Sequence, residues 1–353
     1  MLFRSISTSY EIGTEFRLFN NRLWGDFNYY TRDDKDQIIS VTSAPQSGYS
    51  TRKMNAGLIR NRGVELSLGG MPVSTKNWKW EMNFNIAKNS NKLVELADGV
   101  DSYSIYWTSF TTRLYNYAMV GKSLGVITGN TWERDDNGNI IFHELSASQK
   151  ALYGGEYVPT YNQNTLDELG NFHPDFTGGF NTSISFKNFR LSANIDFSVG
   201  GQIVSYTNMW GSSSGILDKT AELNDRGVNV REPVSKGGGI HMTGVDQNGN
   251  KVDTYVNAKL YYTTASRVWE EWVYDRTYVK LREVSLSYVF PSQTLKKLNI
   301  GLSRASVAIN ASNPWLIYSA CPNVDVSEIG MGYFEGGNAA ATRSIGFTVN
   351  LAF

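Results

Sequence analysis

The sequence has few of the residues that build disulfide frameworks or metal centres. Its 353 residues include a single cysteine, Cys321, and three histidines, His143, His173 and His241. One cysteine cannot form an intrachain disulfide, and three scattered histidines without repeated spacing do not predict a zinc site. We therefore expect no metal ion or other cofactor.

Excess charge and long apolar runs are also missing. Lys plus Arg number 33, as do Asp plus Glu, so the formal net charge is zero. This balance argues against a nucleic-acid partner, because such proteins usually carry a basic surface. No apolar run approaches the roughly 20 residues of a membrane-spanning helix, and the first residues, MLFRSISTSYE, do not form a complete secretory signal.

The acidic motifs do not indicate an enzyme or a calcium site. The pairs Asp135-Asp136 and Glu270-Glu271 are best interpreted as solvated loop charges. DDNGN and DQNGN place Gly138 and Gly249 at the fourth position, whereas an EF-hand loop requires glycine at the sixth. Asn-Gly favours a tight turn instead, so we expect hairpins at both motifs and no catalytic activity.

Alternating hydrophobicity is the dominant feature. In the last stretch, RSIGFTVNLAF, every odd position from Ile345 to Phe353 is apolar and the even positions are small or polar. Period two is typical of a strand whose two faces meet different surroundings. The same pattern predicts nine strands, at 10–18, 23–40, 57–70, 78–86, 176–186, 190–199, 277–290, 299–311 and 345–353. Phase changes at Arg282-Glu283 and between Leu302 and Ala305 predict two β-bulges.

Short and long connections alternate along these strands. Short ones such as NNR, KN and PSQTLKKL separate long ones near 41–56, 95–175, 207–276 and 313–341. This asymmetry is typical of outer-membrane barrels, with short periplasmic turns and long external loops. Aromatic residues near strand ends, Trp78, Trp80, Trp269, Trp272 and Tyr274, are candidates for interfacial girdles. The sequence therefore predicts an all-β, transmembrane, antiparallel up-and-down barrel.

Nine strands do not form a complete barrel. An open sheet in lipid leaves two edges of unpaired backbone groups, each costing several kcal/mol. Closing nine strands would also make the first and last strands parallel. We therefore expect partner strands from outside this sequence. Two alternatives remain open: a self-contained small porin-like channel, and a soluble β-rich glycan-binding or adhesion module, since a sandwich also alternates.

Six segments resemble the C-terminal barrel half of SusC/RagA-like TonB-linked outer-membrane transporters of Bacteroidetes. They are YEIGTEFRLFNNRLWGDFNYYTRDDKDQI, NAGLIRNRGVELSLGG, WKWEMNFNIAKNSNKLVEL, HPDFTGGFNTSISFKNFRLSANIDFSVGG, TYVKLREVSLSYVFP and TRSIGFTVNLAF. The resemblance extends from about Tyr10 to Phe353. It implies that residues 1–353 are the C-terminal part of a receptor barrel of about 22 strands, without the signal peptide, TonB box or plug domain.

The resemblance also implies a function and partners. Members of this family import large nutrients, oligosaccharides or peptides, across the cell outer membrane. A SusD-like surface lipoprotein caps the barrel, TonB acts through the N-terminal part, and membrane lipids surround the wall. We accordingly expect the same role and location for the protein to which this chain belongs.

Three groups of residues are candidates for this role. Aromatic residues of the presumed external loops would contact substrate or the lipoprotein, or else stabilise the loops: Tyr103, Tyr106, Trp107, Trp132, Trp210 and Trp315. Charged residues of the polar strand faces would line the lumen or pair with the plug of the receptor, or simply be solvated there: Lys79, Glu81, Arg190, Asp196, Lys280 and Arg282. Phe353 is the candidate terminal residue for barrel assembly.

Overall fold

The computed structural model describes residues 4–42, 51–55, 57–109, 112–298, 301–329, 332–337, 339 and 341–353. Its strands are β1 (Ile6–Leu18), β2 (Leu23–Lys35), β3 (Ile38–Thr42), β4 (Thr51–Asn55), β5 (Leu58–Ser74), β6 (Trp78–Glu95), β7 (Ser102–Ser109), β8 (Arg113–Met119), β9 (Val126–Gly129), β10 (Ile141–Glu144), β11 (Tyr157–Pro159), β12 (Asp167–Asn171), β13 (Phe176–Phe186), β14 (Phe189–Val199), β15 (Gln202–Ser205), β16 (Ile240–Asp246), β17 (Lys251–Val256), β18 (Val273–Asp275), β19 (Tyr278–Val289), β20 (Arg304–Ser319), β21 (Phe334–Glu335) and β22 (Ser344–Ala352).

Four short helices accompany these strands. They are α1 (Ala147–Tyr153), α2 (Tyr206–Ser213), α3 (Ala258–Ala265) and α4 (Ser292–Leu298). Each has seven or eight residues. Across the described ranges, none of the helices is long and apolar enough to cross a membrane.

The main sheet has nine strands in the order β1-β2-β5-β6-β13-β14-β19-β20-β22. Every neighbouring pair is antiparallel. The nine predicted strands thus occur in their predicted order, and the prediction of an up-and-down antiparallel sheet is confirmed. The predicted strand at 23–40 is divided, because Asp36 has a positive φ of 54° between β2 and β3.

The register gives this sheet one continuous apolar face. One row of side chains crosses six strands through the paired residues Trp80, Ile184, Leu191, Leu286, Ile309 and Phe347. This face is open: Ile12 is 71% exposed, Ile345 is 82% exposed and Phe347 is 68% exposed. A soluble sandwich would pack such a face against a second sheet, so the structure contradicts that alternative.

One of the two predicted bulges is confirmed. Against β14, Ile195 pairs with Leu281 and its neighbour Asn194 pairs with Glu283, which leaves Arg282 as the extra residue of β19. The second prediction, a bulge between Leu302 and Ala305, is wrong, because among the described residues β20 begins only at Arg304. The segment PSQTLKKL before it contains α4, in which Leu295 is 4% exposed. The change of phase near Leu302 therefore marks the entry into β20. Residues 299 and 300 of the predicted strand lie outside the described residues.

Three long connections fold together into what we call the loop domain. The connections are 96–175 between β6 and β13, 200–277 between β14 and β19, and 320–343 between β20 and β22. Their strands share sheets: β10 of the first connection pairs with β16 of the second, and β15 of the second pairs with β21 of the third. The three connections therefore depend on one another for their structure.

The loop domain has its own hydrophobic core. Leu114, Trp132, Met209, Trp272 and Tyr333 are among its buried residues and come from all three connections. Burial of such large side chains is the main favourable contribution to folding, at about 25 cal/mol per Å² of apolar surface. The loops are accordingly a folded unit rather than extended surface segments.

Two sequence expectations for this region have clear outcomes. The hairpins at DDNGN and DQNGN are confirmed: the carboxylates of Asp135 and Asp246 each accept backbone N–H groups two and four residues ahead. The girdle assignment of Trp269 and Trp272 is wrong, because they are 0% and 1% exposed in the loop-domain core. The Trp272 indole N–H is satisfied inside this core by the Ala265 carbonyl oxygen at 2.8 Å.

Candidate functional site

The polar face of the main sheet carries several of the charged residues predicted to line a lumen. A cavity of about 320 Å³ lies over β6, β13, β14 and β19, and Glu81 and Arg190 line it. Glu81 pairs with Lys79, whose Nζ is 3.0 Å from its Oε2, and Arg190 Nη2 donates to Ser183 Oγ at 3.3 Å. The charge of Glu81 is thus balanced by Lys79 along the strand, whereas Arg190 keeps its charge and is hydrogen-bonded across the hairpin.

Asp196 and Arg282 form a two-point ion pair on the same wall. Arg282 donates through Nε to Asp196 Oδ1 at 2.8 Å and through Nη2 to Oδ2 at 2.9 Å. The fork of a guanidinium matches a carboxylate in this way, which makes the pair geometrically specific. The bulge at Arg282 positions this side chain, because the extra residue changes the direction of β19 locally.

Lys280 is buried against the third long connection. Its side chain is 2% exposed, and Nζ lies 2.7 Å from Asp325 Oδ2 and 2.9 Å from Glu328 Oε1. Arg282 also donates to Glu328. We call Asp196, Lys280, Arg282, Asp325 and Glu328 the ion cluster. It attaches the connection between β20 and β22 to the polar face of the main sheet at β19.

The ion cluster changes the acidity of its loop carboxylates. The hydrogen bond from Lys280 holds the pKa of Glu328 below its ordinary value, although partial burial opposes this effect. Burial alone would raise the pKa of Asp325, but hydrogen bonds from Lys280 and Ser327 outweigh it and the pKa is lowered. Both groups are therefore held in the charged form that the cluster requires.

Two of the predicted loop aromatics do not lie on the surface of the loop domain. Trp132 is 2% exposed, and its indole N–H donates to Glu271 Oε1 at 2.6 Å inside the loop-domain core. Trp315 belongs to β20 rather than to a loop, and it pairs with Leu281 on the apolar face of the main sheet. Trp132 thus packs inside its long connection, which agrees with the alternative that these aromatics stabilise the loops, whereas the predicted loop position of Trp315 is wrong.

The other predicted aromatics lie on the loop domain. Tyr106 of β7 is 58% exposed and stacks on Tyr333, with ring centroids 6.4 Å apart. Tyr103 on the same strand is half-buried. Trp107 also belongs to β7, where its backbone pairs with Tyr115, but its side chain lies outside the described residues. Trp210 of α2 is 47% exposed.

Trp210 borders an apolar cavity of about 330 Å³, which we call the Trp210 cavity. Its walls include Tyr206, Ile216 and Leu217. Aromatic and aliphatic walls with an open mouth are typical of binding sites for small organic groups. A ring such as that of Trp210 can stack on a sugar face or pack against an apolar peptide side chain.

Glu335 supports this cavity and was missed by sequence reasoning. The residue is 2% exposed, and its carboxylate accepts hydrogen bonds from Ser205 Oγ at 3.0 Å and Thr207 Oγ1 at 2.8 Å. The N–H of Thr207 at the start of α2 also donates to it, at 3.0 Å. These partners precede Glu335 by about 130 residues, so no local sequence pattern could have indicated the contact.

Phe353 follows β22, the last strand of the main sheet, and is 85% exposed. In the part of the chain that the structure describes, β22 pairs with β20 and its other edge has no strand partner. Phe353 therefore lies at the end of an open sheet edge. Its role in barrel assembly stays a prediction.

Comparisons with known proteins agree with this architecture. Residues 5–202 match the family model described as TonB dependent receptor-like, beta-barrel. TonB-dependent receptor P3 of Formosa agariphila is 28% identical over 327 residues, which cover 90% of this chain and 30% of that protein. TonB-dependent receptor SusC of Bacteroides thetaiotaomicron is 30% identical over 206 residues, which cover 56% of this chain and 20% of SusC.

Solved structures show the same fold. The RagAB peptide importer in its closed-closed state matches with a TM-score of 0.70 at 18% identity, over 99% of this chain and 35% of the matched chain. The chain thus spans about a third of the length of such relatives. The family match covers more than half of the sequence. From these findings together, the chain belongs to the TonB-dependent receptor-like β-barrel family.

Proposed function

We propose that this chain forms part of the barrel wall and external loop domain of an outer-membrane receptor that imports oligosaccharides or peptides. The observation that carries the proposal is the main sheet itself, which has an exposed apolar face, a polar opposite face and a folded domain on its long connections. Lipid would cover the apolar face, and the polar face would line the passage. The names of the relatives support the same role.

Other strands would complete the barrel. The end strands β1 and β22 of the described sheet are not hydrogen-bonded to each other. Their open edges would be costly in lipid, and closing nine strands on themselves would require a parallel pair. We therefore favour residues 1–353 as the C-terminal part of a larger barrel of about 22 strands over a small self-contained channel.

The loop domain would provide the outer contacts of the receptor. Its exposed aromatics, Tyr106 and Trp210, together with Tyr103 and Trp107, would contact the imported oligomer or a SusD-like lipoprotein seated above it. TonB would supply the energy for import through the N-terminal part of the receptor. The RagAB match, a peptide importer, and the SusC relative support this assignment.

An uptake assay with energised cells tests the proposal. The receptor containing this chain is expressed in the outer membrane, and entry of a labelled oligosaccharide and a labelled peptide is followed with and without TonB. We expect uptake that requires TonB and that falls in the Trp210→Ala variant. Trp315→Ala is the matched control, because this exposed tryptophan lies on the apolar face.

Three other outcomes would each contradict one part of the proposal. Uptake that continues without TonB would contradict active import and indicate a passive channel. A protein that stays soluble without detergent would contradict the membrane location. Equal uptake by Trp210→Ala and Trp315→Ala would remove the Trp210 cavity from the proposed substrate path.

A further inference from the structure

The lining of the Trp210 cavity comes from two distant parts of the chain. Helix α2 supplies Thr207 and Trp210, and the residues after the helix supply Ile216. The connection between β20 and β22 supplies the glycine pair Gly336 and Gly337, about 130 residues farther along. The shape of the cavity therefore depends on how α2 lies relative to the glycine pair.

Glu335 joins these two parts of the lining. It directly precedes the glycine pair, and its buried carboxylate lies at the start of α2. Oε2 accepts hydrogen bonds from the Ser205 hydroxyl and from the Thr207 N–H, both at 3.0 Å. Oε1 accepts from the Thr207 hydroxyl at 2.8 Å and from the Gly337 N–H at 2.5 Å. One carboxylate thus binds both α2 and the glycine pair.

The chemistry of this contact requires a carboxylate. Ionised carboxylate oxygens only accept hydrogen bonds, and the hydroxyl and N–H groups around Glu335 donate to them. The start of a helix also carries partial positive charge, which stabilises a negative group there. Glu335→Gln hardly changes the shape of the side chain, but it replaces one acceptor with an amide N–H group that faces donors. We therefore expect this substitution to loosen α2 from the glycine pair.

The backbone after Glu335 fits the same arrangement. Gly337 has a φ of 73°, a conformation that favours glycine, and its N–H donates back to the Glu335 carboxylate. At Gly336, an added Cβ would lie 3.0 Å from the ring of Phe334. The glycine pair thus presents backbone to the cavity, and its position relative to α2 is set by Glu335.

We propose that Glu335 is a positioning residue for the ligand that the receptor imports. Its carboxylate holds α2 against the glycine pair and so keeps the Trp210 ring in the arrangement that binds the ligand. Glu335 itself is 2% exposed and does not touch the ligand. Affinity for the ligand therefore depends on Glu335, whereas the rate at which bound ligand is transported does not. This inference rests on the proposed function, in which Trp210 contacts the imported oligomer.

Fluorine NMR in detergent tests the positioning without any ligand. The receptor that contains this chain is labelled with 5-fluorotryptophan, and the signals of Trp132 and Trp210 are assigned with Trp132→Phe and Trp210→Phe. Glu335→Gln should move the Trp210 signal and leave the Trp132 signal in place.

Glu271→Gln is the matched control for this spectrum. Glu271 is a partly buried carboxylate of the loop domain that accepts the Trp132 indole N–H at 2.6 Å and does not line the Trp210 cavity. The same chemical change at this residue should move the Trp132 signal and leave the Trp210 signal in place.

Two substitutions at Thr207 keep the test decisive if Glu335→Gln unfolds the loop domain, which loss of the separate Trp132 signal would reveal. Thr207→Val removes the hydroxyl that donates to Glu335, whereas Thr207→Ser keeps it. Thr207→Val should move the Trp210 signal in the same way as Glu335→Gln. Thr207→Ser should leave that signal close to its wild-type position.

Uptake kinetics test the effect on the ligand. Entry of a labelled hexapeptide and a labelled hexasaccharide into energised cells is measured at rising concentrations. For the probe that is imported, Glu335→Gln should raise the half-saturating concentration about tenfold, as expected when hydrogen bonds to a charged group are weakened. The maximal rate should not change, because only binding is affected. Glu271→Gln should leave the half-saturating concentration at the wild-type value.

Three results would overturn the inference: a Trp210 signal that stays in place in both Glu335→Gln and Thr207→Val, a Trp210 signal that moves equally in Glu335→Gln and Glu271→Gln, or an unchanged half-saturating concentration in Glu335→Gln. The fluorine spectra require neither ligand nor TonB. A wild-type receptor that imports neither probe would therefore contradict the proposed function, whereas an unmoved Trp210 signal would contradict the role of Glu335.

Discussion

At the scale of single residues, the alternation of the sequence predicts the face on which Lys280 lies but not the residues that it contacts. Period two assigns Lys280 to the polar face, and its pairing with Asp196 across β14 confirms that face. The pattern contains no information on Asp325 and Glu328, which reach Lys280 from a connection 45 and 48 residues farther along the chain. A lysine predicted to line the lumen is thus a buried member of the ion cluster.

Lys280→Met should lower the free energy of unfolding by about 3 kcal/mol, because removal of one partner leaves buried carboxylate charge uncompensated. Denaturant unfolding, in detergent, of the receptor that contains this chain measures the change. Lys79→Met is the control: the Lys79–Glu81 pair is exposed on the same face, so its loss should cost less than about 1 kcal/mol. Equal costs for the two variants would contradict the importance of burial at Lys280.

The same cluster should weaken in acid. The pKa values of Asp325 and Glu328 are lowered in the folded protein, so their contribution to stability is complete above the unfolded pKa, near about 4, and is lost as the pH falls through the folded values. The stability difference between wild type and Lys280→Met should therefore persist at pH 6 and shrink at pH 3. A difference that is as large at pH 3 as at pH 6 would refute this assignment.

At the scale of elements, the strands of the main sheet were predictable and the loop domain was not. Each long strand repeats one binary pattern, so β13 and β14 were predicted nearly to their ends. The core of the loop domain is assembled from remote residues, such as Leu114 and Trp269, whose proximity no local pattern indicates. Trp269 and Trp272 were accordingly mistaken for membrane-interface residues.

Helix α4 and the end of β20 were missed for local reasons. The helix has seven residues and one buried side chain, Leu295, which is too little for a helical period to be recognised. Strand β20 continues through Pro314 and through Asn313, which has a φ of 49°. Proline normally argues against a strand interior, so the sequence placed Trp315 in a loop.

Strand β22 allows a test of its two faces at one depth. Phe347 lies mid-strand on the apolar face, and its neighbour Thr348 lies on the polar face, where Asn310 Nδ2 donates to its Oγ1 at 3.0 Å. Phe347→Lys should cost ~2–4 kcal/mol if the apolar face meets the bilayer midplane. Thr348→Lys should cost clearly less in the same unfolding measurement in lipid. A smaller cost for Phe347→Lys than for Thr348→Lys would exclude the assigned orientation.

At the scale of the whole molecule, the proposed function depends on the two faces of the main sheet and on its two open edges. The apolar face contradicts a water-soluble sandwich. In the part of the chain that the structure describes, the outer edges of β1 and β22 have no strand partner, and in lipid such edges would need further strands. These properties follow from the alternation of the sequence, and the family match agrees with them. The proposed substrate contacts lie instead at the loop domain, whose residues only the folded structure brings together.

Collision accessibility of spin labels on the membrane-inserted protein tests the orientation of the sheet most directly. Labels are attached at Phe347→Cys and Thr348→Cys, each in a Cys321→Ser background, and relaxed by oxygen, which partitions into lipid, or by a water-soluble nickel chelate. We predict that the Phe347→Cys label is relaxed by oxygen and protected from the chelate, and that the Thr348→Cys label shows the reverse. Preferential relaxation of the Phe347→Cys label by the chelate would contradict a lipid-facing apolar wall.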